Sequence, residues 1–119
     1  MKILILLLFI SAPAYADNWT ASQKVGEGSY LVLHTIDWMQ TRWIAKHGPA
    51  YYESFNTILG RNPSVGRVNM WFASTTILQP MIANMLPGKW RDIWIGAGIG
   101  VEFNLTTRNA SIGIKMDLQ

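Results

Sequence analysis

The hydrophobic positions of this chain fall into three long segments that glycine and proline separate. The first segment follows Thr20 or Ser22, either of which can cap a helix, and reaches His47, where Gly48-Pro49 must end it. Polar residues recur within it every three or four positions, which places them on one side of a helix. We therefore predict an amphipathic helix over residues 20–47 with a polar stripe that faces inward.

The second segment covers residues 65–86 and starts after Ser64, another residue suited to cap a helix. It is the most apolar segment after the chain start, and Gln79 and Pro80 are its main interruptions. We predict a second helix here. It is the best candidate for a membrane-spanning helix in this part of the chain.

A third helix is predicted over residues 90–105, after the tight connection at Pro87-Gly88. Gly96 and Gly100 form a GxxxG pair, a pattern that lets helices approach closely in lipid, so we expect them to be helix-packing positions. Apolar residues alternate from Val101 onward, which favours a short extended tail. A hairpin over this tail is the alternative.

The segment between the first two helices is predicted to be a structured loop. It contains several glycines and prolines around the aromatic residues Tyr51, Tyr52 and Phe55. These rings could line a binding surface if the protein were released into the periplasm.

Composition narrows the class of protein. Hydrophobic residues make up 50% of the chain and charged residues only 14%, a balance that favours contact with a membrane. The net charge is +3, but the basic residues are scattered, so we expect no nucleic-acid partner. Cysteine is absent, which excludes disulfides and thiolate metal sites.

The chain start has the three regions of a secretory signal peptide. Lys2 precedes an apolar run, and small residues follow up to Ala14-x-Ala16. The apolar run is too short to span a membrane. We expect a signal peptide at residues 1–16, cleavage after Ala16, and a single helical domain over residues 17–119.

Export followed by three membrane spans would place the loop and the tail on the inner side. More basic residues fall on that side than on the other, in the direction of the positive-inside rule. We therefore expect an exported protein of the inner membrane, with the periplasm as the second possibility. Membrane lipid, a second copy of the chain or another envelope protein are the expected partners.

Six polar residues are the candidates for chemistry. His34 and Asp37 lie three positions apart on the first helix, so a carboxylate can orient the imidazole or both can bind one metal. No metalloprotease, nucleophile-elbow or phosphate-loop motif is present. We therefore expect a hydrogen-bonded cluster with no metal and no cofactor, made of His34, Asp37, Gln40, Thr41 and Glu102, with Glu53 converging from the loop.

Several short motifs resemble those of a family of short proteins from proteobacteria and their phages. The motifs are Asp37-x-x-Gln40-Thr41, Tyr51-Tyr52-Glu53, Asn56-x-x-Leu59-Gly60, Asn62-Pro63-Ser64 and Arg67-Val68-Asn69. The chain keeps the family's helix motif as Asp37 and Thr41, but departs from its loop motif at Asn56-Thr57. The resemblance implies a small helical membrane protein and no particular activity.

The sequence as a whole predicts an all-α fold, a membrane-associated three-helix bundle. We expect a non-enzymatic component of the cell envelope, such as a phage-encoded accessory factor that acts on the host envelope. One alternative is a small membrane-embedded hydrolase or metal-binding protein that uses His34, Asp37 and Glu102. Another is a soluble periplasmic binding module.

Overall fold

Three helices form the part of the chain that the computed structural model describes, namely residues 19–47, 59 and 63–118. They are α1 (Ala21–His47), α2 (Val65–Met85) and α3 (Gly88–Ser111). No strand occurs among these residues. The prediction of an all-α fold with three helices is confirmed.

Side-chain caps explain where the first two helices begin. The Thr20 hydroxyl accepts a hydrogen bond from the backbone N–H of Gln23 at 3.0 Å, and the Gln23 side chain accepts one from the backbone N–H of Thr20. This reciprocal pair is a capping box. Ser64 caps α2 through the backbone N–H of Arg67 at 3.1 Å. Both caps were visible in the sequence.

The third helix is longer than predicted, and both the end near residue 105 and the hairpin alternative are wrong. Its buried residues beyond Ile99 include Glu102, Thr106 and Asn109, which follow helical spacing but are polar. The spacing of the apolar residues alone therefore does not show that the helix continues past residue 105. Gly113, at φ 92°, ends the helix, because glycine adopts this left-handed conformation without strain.

The helices run up, down and up. Gln23 near the start of α1 contacts Asp92 near the start of α3, and Gln40 contacts Asn109 near the end of α3, so these two helices are parallel. Trp38 donates to Asn69 at the start of α2, which runs antiparallel to them. A hydrophobic cluster closes one end of the bundle, formed by Trp38, Leu59, Val68 and Phe72.

The glycine that allows close approach is Gly98, rather than the predicted Gly96 and Gly100. A Cβ on Gly98 would lie 2.9 Å from the ring of Tyr30 on α1. Gly96 and Gly100 are both exposed, and a Cβ there would meet nothing within 4 Å. Within the described residues, the GxxxG pair therefore packs against no helix.

Membrane association stays a prediction. In the described ranges we find no helix that combines the length and the apolar character needed to cross a membrane. The expected signal peptide and the loop residues Tyr51, Tyr52, Glu53 and Phe55 lie outside the described residues.

Candidate functional site

A stripe of polar and aromatic side chains runs along the inner face of α1. Its members are buried and separated by alternating steps of four and three residues: Gln23, Glu27, Tyr30, His34, Asp37 and Thr41. This spacing is that of the core positions in a coiled coil, which are usually apolar. The sequence prediction covers the stripe from His34 onward. It omits Gln23, Glu27 and Tyr30, although these residues follow the same spacing.

His34 is the centre of the site, because its ring contacts both other helices. Its Nδ1 lies 3.1 Å from Oε1 of Glu102 on α3 and 3.3 Å from the hydroxyl of Tyr30. Its Nε2 lies 2.8 Å from the hydroxyl of Thr75 on α2. With Glu102 ionised, Nδ1–H donates to the carboxylate and Nε2 accepts from Thr75. The imidazole thus joins all three helices.

Burial keeps His34 neutral. Desolvation lowers its pKa from 6.5 to about 4, and the negative charge of Asp37 offsets only part of that effect. Burial also raises the pKa of Tyr30, with contributions from Glu102, Glu27 and Asp37, so Tyr30 keeps its proton. Near pH 7 the site therefore contains a neutral imidazole and a neutral phenol beside a carboxyl group.

Asp37, Gln40 and Thr41 are buried one turn further along α1. Thr41 donates to Asp37 at 3.2 Å, so the partner of Asp37 on its own helix is a hydroxyl. Gln40 donates to the Thr106 backbone carbonyl and accepts from Asn109 at 3.1 Å. These contacts brace α1 against α3, and they make this part of the stripe a packing element.

Glu27 and Gln79 face each other deep in the bundle, and sequence reasoning singled out neither as a site residue. Glu27 is 5% exposed and Gln79 is 6% exposed, and neither side chain has a hydrogen-bond partner apart from the other. Burial raises the pKa of Glu27 from 4.5 to about 7, and the hydrogen bond from the Gln79 amide opposes this rise. The Gln79 amide oxygen has no partner, and an unsatisfied buried polar group is costly.

A pocket of about 270 Å³ opens beside this pair. Tyr30 of α1, Gln79 of α2, and Trp94, Gly98 and Glu102 of α3 are among its lining residues. Trp94 is fixed by a 3.1 Å hydrogen bond from its indole N–H to the Gln79 backbone carbonyl. The pocket lining therefore combines two aromatic rings with one amide and one carboxyl group.

Buried Arg91 holds the connection between α2 and α3. Its guanidinium donates to the backbone carbonyls of Ala83 at 2.7 Å and Leu86 at 2.9 Å, and it stacks over the Trp19 ring at 4.7 Å. Carbonyls at a helix end lack intrahelical partners, so a cation there satisfies them. Arg91 is a structural residue at this end of the bundle.

At the opposite end, Asp117 joins the tail to α1. Its carboxylate lies 3.2 Å from Arg42 and 2.8 Å from Lys46. Its backbone N–H donates to the Met39 carbonyl at 3.0 Å. The predicted extended tail is thus held against the bundle by ion pairs and one backbone hydrogen bond.

The described side chains offer no group of three histidine, cysteine or acidic residues arranged to bind a metal. Of the six predicted site residues, the structure brings His34 and Glu102 into direct contact and places Gln40 and the Asp37–Thr41 pair beyond them. Glu53 lies outside the described residues. Thr75 and Tyr30 also contact His34 and complete the cluster.

Comparisons with known proteins add no family to this picture: no family model matches the chain, and neither a curated protein nor a solved structure is significantly similar to it. The resemblance to short proteobacterial and phage proteins therefore stays a prediction.

Proposed function

We propose that this protein is an exported, non-enzymatic component of the cell envelope whose helices contact membrane lipid. The observation that carries the proposal is the inverted distribution of polarity. In the described ranges, 13 polar or charged residues are buried against 12 hydrophobic ones, while 15 large hydrophobic residues are exposed. Buried polar residues together with exposed apolar patches indicate an interaction surface, and a membrane is one such partner.

The outer face of α2 is the strongest part of this surface. It exposes Met70, Ile77, Leu78, Met81, Ile82 and Met85. No charged residue occurs from Val68 to Met85. Lipid is a favourable environment for such a face, whereas each exposed apolar side chain costs free energy in water. The signal peptide expected at residues 1–16 would deliver the protein to the envelope.

Flotation with lipid vesicles tests this proposal. The full chain, purified in detergent, is mixed with vesicles of phosphatidylethanolamine and phosphatidylglycerol, the detergent is removed, and the sample is centrifuged through a density gradient. We expect the protein to float with the vesicles. Met81→Glu places a charge on the α2 face and should reduce flotation, whereas Ser22→Glu, at an exposed polar position of α1, should not. Protein that stays monomeric at the bottom of the gradient would disprove the proposal.

Hydrolysis is a second candidate function, because Thr75, His34 and Glu102 are arranged as a nucleophile, a base and an orienting acid. The Thr75 hydroxyl lies 2.8 Å from Nε2 of His34, whose Nδ1 lies 3.1 Å from Glu102. In such a triad the hydroxyl attacks an ester carbonyl while its proton passes to the imidazole and then to the leaving alcohol, and water releases the acyl group. However, the Thr75 hydroxyl has one proton, and the Trp71 carbonyl at 2.9 Å competes with Nε2 of His34 for it.

Covalent labelling separates the two functions. A fluorophosphonate probe reacts with an activated hydroxyl, so a hydrolase would be labelled, and Thr75→Ser would keep the label while Thr75→Val would lose it. We expect no labelling of the parent protein, in agreement with the non-enzymatic proposal. Labelling that depends on both Thr75 and His34 would establish the hydrolase instead.

A further inference from the structure

The chemistry of the pocket between the three helices selects a class of ligand. We propose that it binds a small primary organic ammonium ion, with the ammonium at Gln79 and Glu102 and the apolar body against Tyr30, Trp94 and Val101. This inference does not depend on the proposed function.

The first observation is the size of the pocket. About 270 Å³ is slightly below the volume of sites for drug-sized ligands, so a correspondingly small molecule fits. Gly98 shapes one side, since a larger residue there would collide with the Tyr30 ring. Gly98 therefore lets that ring form a wall of the pocket.

The second observation is the unsatisfied amide oxygen of Gln79. Gln79 lines the pocket, is more than nine-tenths buried, and its amide oxygen has no hydrogen-bond partner. The amide oxygen can accept from a ligand N–H while the amide nitrogen donates to Glu27 or to a ligand oxygen. A ligand with a hydrogen-bond donor therefore provides the partner that the Gln79 amide oxygen lacks.

The carboxyl groups and aromatic rings at the pocket favour a cation over a neutral hydrogen-bond donor. Glu102 contributes a carboxyl group to the lining, and a second one, on Glu27, is hydrogen-bonded to Gln79. Tyr30 and Trp94 contribute rings to the lining, and the faces of aromatic rings attract cations. A carboxylate in the same pocket as two aromatic rings favours an ammonium over a neutral alcohol of the same shape.

A matched pair of probes tests the proposal. Phenethylammonium and 2-phenylethanol have the same shape but differ in charge, and their binding to the full chain in detergent is measured by isothermal titration calorimetry. We expect phenethylammonium to bind at least about tenfold more tightly. Equal affinity would overturn the ammonium assignment, and no binding of either probe would overturn the site.

Variants locate the binding. Gln79→Leu removes the amide and should weaken phenethylammonium binding about tenfold, and it should also weaken binding of 2-phenylethanol, whose hydroxyl can donate to the same amide oxygen. Val101→Phe fills the pocket and should abolish binding of both probes, whereas Val25→Phe makes the same change at an exposed valine on α1 and should have no effect. Circular dichroism confirms that each variant is folded. Unchanged binding by a folded Val101→Phe protein would place the ligand elsewhere and overturn the proposal.

The source of the ammonium group, a free amine or a lipid headgroup, is distinguished in nanodiscs. Phosphatidylethanolamine carries a primary ammonium, whereas phosphatidylglycerol does not. If the headgroup occupies the pocket, phenethylammonium should bind more weakly in discs that contain phosphatidylethanolamine than in discs of phosphatidylglycerol alone. Equal affinity in both discs identifies a free amine as the ligand. Failure of vesicle flotation would leave the detergent experiment unaffected, so the two proposals fail separately.

Discussion

Nδ1 of His34 on α1 lies 3.1 Å from Oε1 of Glu102 on α3, and both side chains are buried. Burial of two ionisable groups is unfavourable unless each has a partner, so this contact determines how the two parallel helices are aligned. It also places the imidazole between a carboxyl group and the Thr75 hydroxyl of α2. The same ring therefore serves as a structural bridge among three helices.

A double-mutant cycle should show strong coupling between these two residues. His34→Leu leaves Glu102 without its imidazole partner, and we expect a loss of about 3 kcal/mol in the free energy of unfolding. The double variant His34→Leu/Glu102→Leu should be more stable than the sum of the single changes predicts, with a coupling of at least about 1 kcal/mol. Urea denaturation followed by circular dichroism in mild detergent measures each value. Additive effects would show that the contact contributes nothing specific.

Glu27 should make the fold less stable as the pH rises. Burial raises its pKa from 4.5 to about 7, so its contribution is fully present below pH 4.5 and is lost as the pH rises to 7. Glu27→Gln removes this dependence. Relative to the parent, the variant should therefore gain stability between pH 4.5 and 7 by a few kcal/mol. A constant difference across this range, measured by urea denaturation at each pH, would contradict the prediction.

His34 should have the opposite effect. Its pKa falls from 6.5 to about 4, so its contribution is fully present above pH 6.5 and is lost as the pH falls to 4. Relative to the parent, His34→Gln should gain stability as the pH is lowered through this range. His47→Gln, at an exposed histidine, is the matched control. Similar curves for the two histidine variants would show that burial of His34 is not the cause.

The glycines of α3 should separate into two classes. Gly96→Ala and Gly100→Ala introduce a methyl group into open space and should stabilise the helix by about 0.5–1 kcal/mol each. Gly98→Ala pushes a methyl group against the buried Tyr30 ring and should destabilise the fold by about 1–2 kcal/mol. Thermal unfolding of the three variants measures the order. Destabilisation by Gly96→Ala or Gly100→Ala would indicate that the GxxxG pair packs against a partner after all.

Removal of Arg91 should loosen the connection between α2 and α3. Arg91→Met leaves the Ala83 and Leu86 carbonyls without their guanidinium donor, at a cost of about 2–4 kcal/mol. Lys89→Met, at an exposed cation two residues earlier, should change stability by less than about 0.5 kcal/mol. Hydrogen exchange of the amides at the end of α2 provides a local measurement. Equal exchange in both variants would assign Arg91 no role at this helix end.

Local signals in the sequence were sufficient to predict the helical class, because caps and breakers act on neighbouring residues. Thr20 and Ser64 begin helices through their own backbone neighbours, and the first helix ends at His47, as Gly48-Pro49 predicts. The polar stripe of α1 was also visible, since the spacing of His34, Asp37 and Thr41 assigns them to one face. These features need no information from distant parts of the chain.

Packing between the helices determines which side chains meet across that face. Helical spacing places His34 on the inner face of α1, but the offset between helices selects Glu102 and Thr75 as its partners. It also selects Gly98 over Gly96 and Gly100 as the close-packed glycine. The end of α3 depended on buried Thr106 and Asn109, which resemble solvent-exposed residues until α1 packs against them. These outcomes depend on contacts between residues that are distant in sequence. The local sequence pattern does not specify the relative rotation and offset of packed helices.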